Sequence, residues 1–177
     1  VEFSFVSKNK ETKVLNKINI EINSNLITGL VGETGSGKST LANIISGLIT
    51  EYKGEYFINE SLNTNKKVLQ KMVGHVPQTT NLLDDTILNN ICFGIEKENI
   101  DFSKVKEIID KLKLSKILDN LPNGLDSMIG EQGLKLSGGQ RQKIALARTL
   151  YLEPRIIIFD ESTSSLDKDS EEEFIEV

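Results

Sequence analysis

Gly32-Glu33-Thr34-Gly35-Ser36-Gly37-Lys38-Ser39 is the stretch on which the reading turns. It fits in full the pattern of glycine, four residues, then Gly-Lys-Ser/Thr. The chemistry requires this arrangement. Glycines let the backbone wrap closely, so that successive N–H groups point inward at phosphate oxygens. A helix beginning near Lys38 adds the positive end of its dipole. The Lys38 amine can reach β- and γ-phosphates, and the Ser39 hydroxyl can ligate Mg²⁺. A chance glycine-rich turn can also match the pattern, so context decides. Before the loop, Leu26 to Val31 is mostly apolar and predicts a strand buried on both faces. After it, Leu41, Ile44, Ile45 and Leu48 fall at helical spacing. Strand, glycine-rich loop and helix, in that order, is the setting a phosphate loop needs.

Outward from this loop, 177 residues suffice for one domain with a real hydrophobic core. With 38% hydrophobic and 27% charged residues, the composition argues against disorder. A net charge of -5 gives no general electrostatic reason to bind nucleic acid or an anionic membrane. A single cysteine, Cys92, excludes an internal disulfide and suits a reducing compartment. Nothing at the N-terminus reads as a signal peptide, and runs such as Ile156 to Phe159 are far too short to span a bilayer. Val1 opens directly into strand-like sequence and the chain stops within the acidic stretch Asp169 to Val177, so a fragment of a longer protein is expected.

Ile18, Ile20 and Ile22 alternate with polar residues and predict a half-buried strand, followed by a turn at Asn23-Ser24-Asn25. Gly54 to Asn59 and Met72 to Val76 read as further strands, the second stopped by Pro77. Asp84 or Asp85 is placed to cap a short helix carrying Leu88, Ile91 and Cys92. Val105, Ile108, Ile109 and Leu112 mark another helix, and Leu114 to Leu121 continues helical until Pro122-Asn123-Gly124 breaks it. Gly138-Gly139 opens a helix with Ile144, Ala147, Leu150 and Tyr151 on one face. The expected fold is α/β, a strand-rich core bracketing a largely helical middle from about Asp84 to Leu150.

Ile156-Ile157-Ile158-Phe159-Asp160-Glu161 has the form of a Walker B strand. Such a strand can set Asp160 beside a phosphate loop, where its carboxylate binds Mg²⁺ directly or through water. Glu161 can then polarise the attacking water as general base. An apolar run ending in Asp-Glu is weak evidence alone; the phosphate loop upstream gives it meaning.

Leu136-Ser137-Gly138-Gly139-Gln140-Arg141-Gln142 resembles the signature sequence of ABC ATPases, and it is very specific. A serine and two glycines at a helix N-terminus make a second anion site. An ordinary helix cap would account for Ser137 but not for the whole run in register with two other motifs. The resemblance, which spans essentially the whole chain, implies a P-loop NTPase fold of ABC type. That fold has a mostly parallel core sheet, an N-terminal antiparallel β region and an inserted helical subdomain. It further implies one ABC ATPase domain over residues 1–177, with the core at about 1–83 and 151–177 and the helical subdomain at about 84–150. ATP and Mg²⁺ are the implied cofactors, and Gly32 through Thr40 the nucleotide cradle. The signature residues Ser137, Gly138, Gly139 and Gln140 would contact ATP held by a second ABC ATPase domain, in a homodimer or heterodimer that sandwiches two nucleotides head to tail.

Other family elements match in order. Phe5 stands where the family usually has a tyrosine that stacks on adenine. Gln78, after Val76-Pro77, looks like the Q-loop glutamine that senses Mg²⁺ and the attacking water. Ser165-Leu166-Asp167 looks like the D-loop. Gly130-Glu131-Gln132-Gly133 resembles the x-loop of exporters, and Leu121 to Asp126, Asp84 to Ile87, Asn90-Ile91 and Phe93-Gly94 look exporter-like too. Some flippases for lipid-linked sugars carry similar segments. The resemblance therefore implies an ATPase engine for export or flipping, on the cytoplasmic face of a membrane. Fused transmembrane helices would dock around Gln78 to Phe93 and Glu131, and no nucleic acid takes part. A separate importer subunit, a soluble ABC ATPase or a non-catalytic regulator are the competing readings. The exporter-like x-loop, the lack of a heptad segment and the intact Lys38, Ser39, Asp160 and Glu161 count against them. The family's switch histidine would follow the D-loop; the chain reaches Val177 first, so nucleotide binding is expected to survive better than hydrolysis.

Other conspicuous residues have plainer readings. His75 fits a satisfied strand residue, Cys92 a core thiol, and the stripe at Val105 to Leu112 domain core. Lys66-Lys67 and Glu171-Glu172-Glu173 fit solvated faces.

Overall fold

The computed structural model describes residues 1–7, 10–63, 65 and 67–160, which divide into two units, Val1–Val73 and Gly74–Val177. In the first, β1 (Phe3–Ser7) and β2 (Lys10–Leu15) pair antiparallel, with Phe5 opposite Thr12 and an irregularity between Phe3 and Ser4. Two-residue periodicity puts Phe3 and Phe5 on one face. Their rings meet edge to face, centroids 4.9 Å apart. The phosphate loop leads into α1 (Lys38–Ile45), whose Leu41 and Ile44 bury with Leu15. The helix ends in a Schellman motif: Gly47, at φ 72°, donates to Ile44 O and Leu48 N–H donates back to Asn43 O. That stop corrects the expected stripe, for Leu48 leaves the helix and is 63% exposed. β3 (Tyr56–Ile58) and β4 (Ser61–Asn63) form a hairpin about Asn59-Glu60, both with positive φ as a tight two-residue turn requires. α2 (Lys67–Met72) closes the unit.

The strands expected over Ile18 to Ile22 and Leu26 to Val31 do not form. The turn between them does, with Asn25 left-handed at φ 59°. A strand buried on both faces exists only where neighbouring strands take its main-chain groups and layers cover its faces. The described residues build three sheets of two strands each, none of which includes residues 18–31. Ile27 and Val31 accordingly stand 86% and 93% exposed.

In the second unit, β5 (Val73–Val76) pairs with β6 (Ile156–Phe159), and the Asp160 N–H donates to Val76 O at 3.1 Å. α3 (Ile87–Ile91) is capped by Thr86, whose hydroxyl accepts from Asn89 N, and not by Asp84 or Asp85. Asp85 braces the cap instead, accepting from Thr86 N–H at 2.7 Å and the Asn89 side chain at 2.8 Å. α4 (Phe102–Lys111) starts at Asp101, which accepts from Ser103 and Lys104 N–H, and buries Val105, Ile108 and Ile109 at helical spacing. α5 (Ser115–Leu118) follows. α6 (Gly138–Tyr151) is the spine: Ile144, Leu146 and Ala147 are fully buried against α3 and α4, in one core with Val76, Ile87, Ile91 and Val105. Sealing these side chains from water contributes roughly 1.5–3 kcal/mol each for the larger aliphatics.

Candidate nucleotide-binding site

The phosphate loop lies in the first unit. Gly35 and Gly37 take φ of 82° and 96°, a left-handed conformation that the Ser36 N–H bond to Glu33 O stabilises at 3.2 Å. A Cβ on Gly37 would come within 2.9 Å of Leu15 Cδ2, so β2 is the wall behind the loop. Gly37 is also the N-cap of α1 and brings no side chain to it, and the first turn holds no carboxylate. The leading N–H groups of α1 have no partner within the helix and face the dipole's positive end. Lys38 Nζ donates to Gly32 O at 2.8 Å and Glu33 O at 2.9 Å, bridging the mouth of the loop. Open backbone donors, a cation at the rim and a first helical turn without a carboxylate suit an anion with several oxygens, as a polyphosphate has. Ser39 and Thr40 sit in the same first turn. Phe5 is half-exposed on β1, backed by Phe3.

The remaining described candidates lie in the second unit. Ser137 caps α6 in a complete capping box: its oxygen accepts from Gln140 N–H at 3.2 Å, and Gln140 Oε1 accepts from Ser137 N–H at 2.9 Å. A Cβ on Gly138 would meet nothing within 4 Å, so the helix end is open. Gln78 is exposed, two residues beyond β5. Asp160 directly follows β6, and its main-chain bond to Val76 brings it beside the strand that leads to Gln78. Glu131 begins a single 3₁₀ turn, Glu131–Gly133, between Gly130 and Gly133 at positive φ. Glu161 and Asp167, with the rest of Ser165-Leu166-Asp167, lie outside the described residues. Burial raises the Cys92 thiol, against a lowering hydrogen bond with Tyr151, which fits the core reading of that residue.

Sequence reasoning missed the β2 wall behind Gly37 and the polar centre formed by Asn90 and Arg148. Neither leaves a local signal, because the partners lie 22 residues apart in one case (37 − 15) and 58 in the other.

Among the described residues no helix is long and apolar enough to cross a membrane, and no group of three or more His, Cys, Asp or Glu side chains is placed to hold a metal ion. The family model of the ABC transporter matches residues 15–164. The chain is 40% identical over 164 residues to an ATP-dependent lipid A-core flippase of Francisella novicida, covering 91% of this chain and 27% of that protein. It is 36% identical over 179 residues to a putative export ATP-binding/permease protein of Rickettsia bellii, covering 99% of this chain and 30% of that protein. A solved bacterial Atm1-family ABC exporter with ATP bound superposes with a TM-score of 0.83 at 31% identity, covering 98% of this chain and 30% of that one. The chain thus spans less than a third of the length of these relatives, and it belongs to the ABC transporter family.

Proposed function

We propose that this chain is the ATP-binding and ATP-hydrolysing part of an exporter or flippase, working at the cytoplasmic face of a membrane. The observation that carries the reading is the phosphate loop, with uncapped helix donors and Lys38 at its rim. The exporter and flippase names of its relatives support the transport class. In this reading Gly32 through Thr40 wrap the phosphates and Phe5 stacks on adenine. Ser137, Gly138, Gly139 and Gln140 donate to the γ-phosphate held by a second ABC ATPase domain, and Asp167 communicates across that dimer. Oxygen donors suit Mg²⁺, and Ser39, Asp160 and Gln78 supply them as hydroxyl, carboxylate and amide. Bound there, the ion would offset charge on the phosphate oxygens. Glu161 accepts a proton from water as that water's oxygen attacks the γ-phosphorus, with ADP as leaving group. The helical subdomain at about 84–150 carries the signature, and the region around Gln78 to Phe93 and Glu131 receives fused transmembrane segments.

Two variants test the reading in the full-length protein. Lys38→Ala is expected to weaken ATP binding at least about tenfold, the scale of one charge-assisted contact; unchanged affinity refutes the loop assignment. Glu161→Gln is expected to hold ATP-bound dimers without turnover, and rapid hydrolysis by that variant excludes Glu161 as the base.

A further inference from the structure

Asn90 is fully buried in α3, and every polar atom of its side chain is committed. Its Oδ1 accepts from Leu83 N–H at 2.9 Å and its Nδ2 donates to Leu83 O at 3.2 Å, so the amide pairs with the Leu83 main chain as a neighbouring strand would. The Nδ2 also donates to Thr86 O at 2.9 Å. Arg148, in the last turn of α6, meets the same residue from the other side. Its Nε donates to Asn90 O at 2.8 Å and one terminal nitrogen to Asn90 Oδ1 at 2.7 Å, while the other reaches Asn81 O at 3.1 Å. The guanidinium lies over the Phe93 ring, 5.3 Å from its centroid. One planar fork thus joins α6 to α3 and to the segment that leaves Gln78 three residues earlier. Lysine, with a compact ammonium, cannot span three acceptors in that plane.

We propose that Asn90 and Arg148 are positioning residues of the ATPase reaction, locking the segment after Gln78 to the helix that begins at Ser137 so that the two shift together. The hydrogen bonds of both side chains run to residues of the second unit, and α6 is one unbroken helix of 14 residues from Gly138 to Tyr151. A displacement at Asn81 to Leu83 is therefore carried along α6 to Ser137. A buried polar network of this kind is also good structural glue, and the two roles separate experimentally. The proposal rests on the ATPase reading above.

In the full-length protein, ATP affinity, steady-state kcat and KM, and the thermal midpoint are measured for the unmodified chain, Lys38→Ala, Arg148→Lys, Asn90→Ala and the double variant. For Arg148→Lys, we expect ATP affinity within about twofold, because the phosphate loop is untouched, and kcat lower by about tenfold or more. The double variant should be no slower than the slower single variant, since both break one link. Unchanged kcat per folded molecule, or kcat and affinity falling together with the thermal midpoint, would overturn the proposal and leave a structural role. If Arg148→Lys does not fold, Asn90→Asp decides on the same criteria, since it keeps the acceptor for Arg148 and loses both donors. Absence of ATP turnover in the unmodified protein, or Lys38→Ala binding ATP normally, sinks the ATPase reading itself and this proposal with it.

Discussion

Gly74 sits in β5 where α6 ends, and the space beside it is already filled. A Cβ there would stand 2.4 Å from Thr149 Cγ2, and 3.0 and 3.2 Å from two ring carbons of Pro154. Carbon atoms rest at about 3.5–4.0 Å, so the overlap with Thr149 exceeds an ångström. Neither neighbour yields easily. Thr149 is buried and its hydroxyl donates to Ala145 O at 3.0 Å, while the Pro154 ring is rigid. Gly74→Ala should therefore cost about 1–3 kcal/mol, the range for overpacking a close-packed interior. For a protein of this size that lowers the thermal midpoint by about 2–12 °C, at roughly 2–4 °C per kcal/mol. Thr149→Ser removes the obstructing methyl and keeps the hydroxyl. Alone it should cost about 0.5–1.5 kcal/mol, as loss of one buried methyl does; combined with Gly74→Ala it should restore much of the lost stability. Thermal unfolding of the two single variants and the double variant measures this. A midpoint for Gly74→Ala within about 1 °C of the unmodified protein, or additive losses in the double variant, would refute the packing argument.

Gly37→Ala combines a left-handed φ of 96° with a 2.9 Å approach to Leu15. It should weaken ATP binding about tenfold or more by reshaping the loop, as read by nucleotide titration. Asp85 is held below its ordinary 3.8, first by the Thr86 N–H, then by Asn89 and the charge of Lys97, against opposing desolvation. A depressed carboxyl stabilises the fold fully above its ordinary value and loses that contribution as pH falls through the lower folded value. Asp85→Asn should thus lower the thermal midpoint near neutral pH, with the gap closing as pH falls below the ordinary carboxyl value of 3.8; a pH-independent gap would refute the electrostatic cause. Ser137→Ala should destabilise by about 1 kcal/mol through loss of the cap, and Ser137→Thr by much less, both by thermal unfolding. Ile144→Ala should cost about 2–5 kcal/mol, since its side chain is fully enclosed.

What was legible in the sequence is what local physics decides. The phosphate loop announces itself because left-handed turns need glycine at Gly35 and Gly37. α6 follows from its cap at Ser137 and a long apolar stripe, and β6 from Ile156 to Phe159, all found where expected. The capping of α3 was misplaced because Asp84, Asp85 and Thr86 are all competent caps, and only the fold selects Thr86. The apolar run from Leu26 to Val31 misled because strandhood depends on partners that a run of side chains does not name. The short β4 and α2 lack enough residues to show a period, and went unread. The Asn90–Arg148 fork joins residues 58 apart, which no window of sequence contains.

The reciprocal bonding of Ser137 and Gln140 also decides what can be recognised at that helix end. The serine oxygen already accepts a hydrogen bond from the Gln140 main-chain N–H, and its own O–H is not spent in that bond. An approaching group that brings lone pairs can accept from that hydroxyl and from the leading main-chain N–H groups of the helix. Because Gln140 fixes the serine before any ligand arrives, little rotational freedom remains to be lost on contact. The tip of α6 thus offers donors to an acceptor and is set in advance, two properties that one pair of side chains provides together.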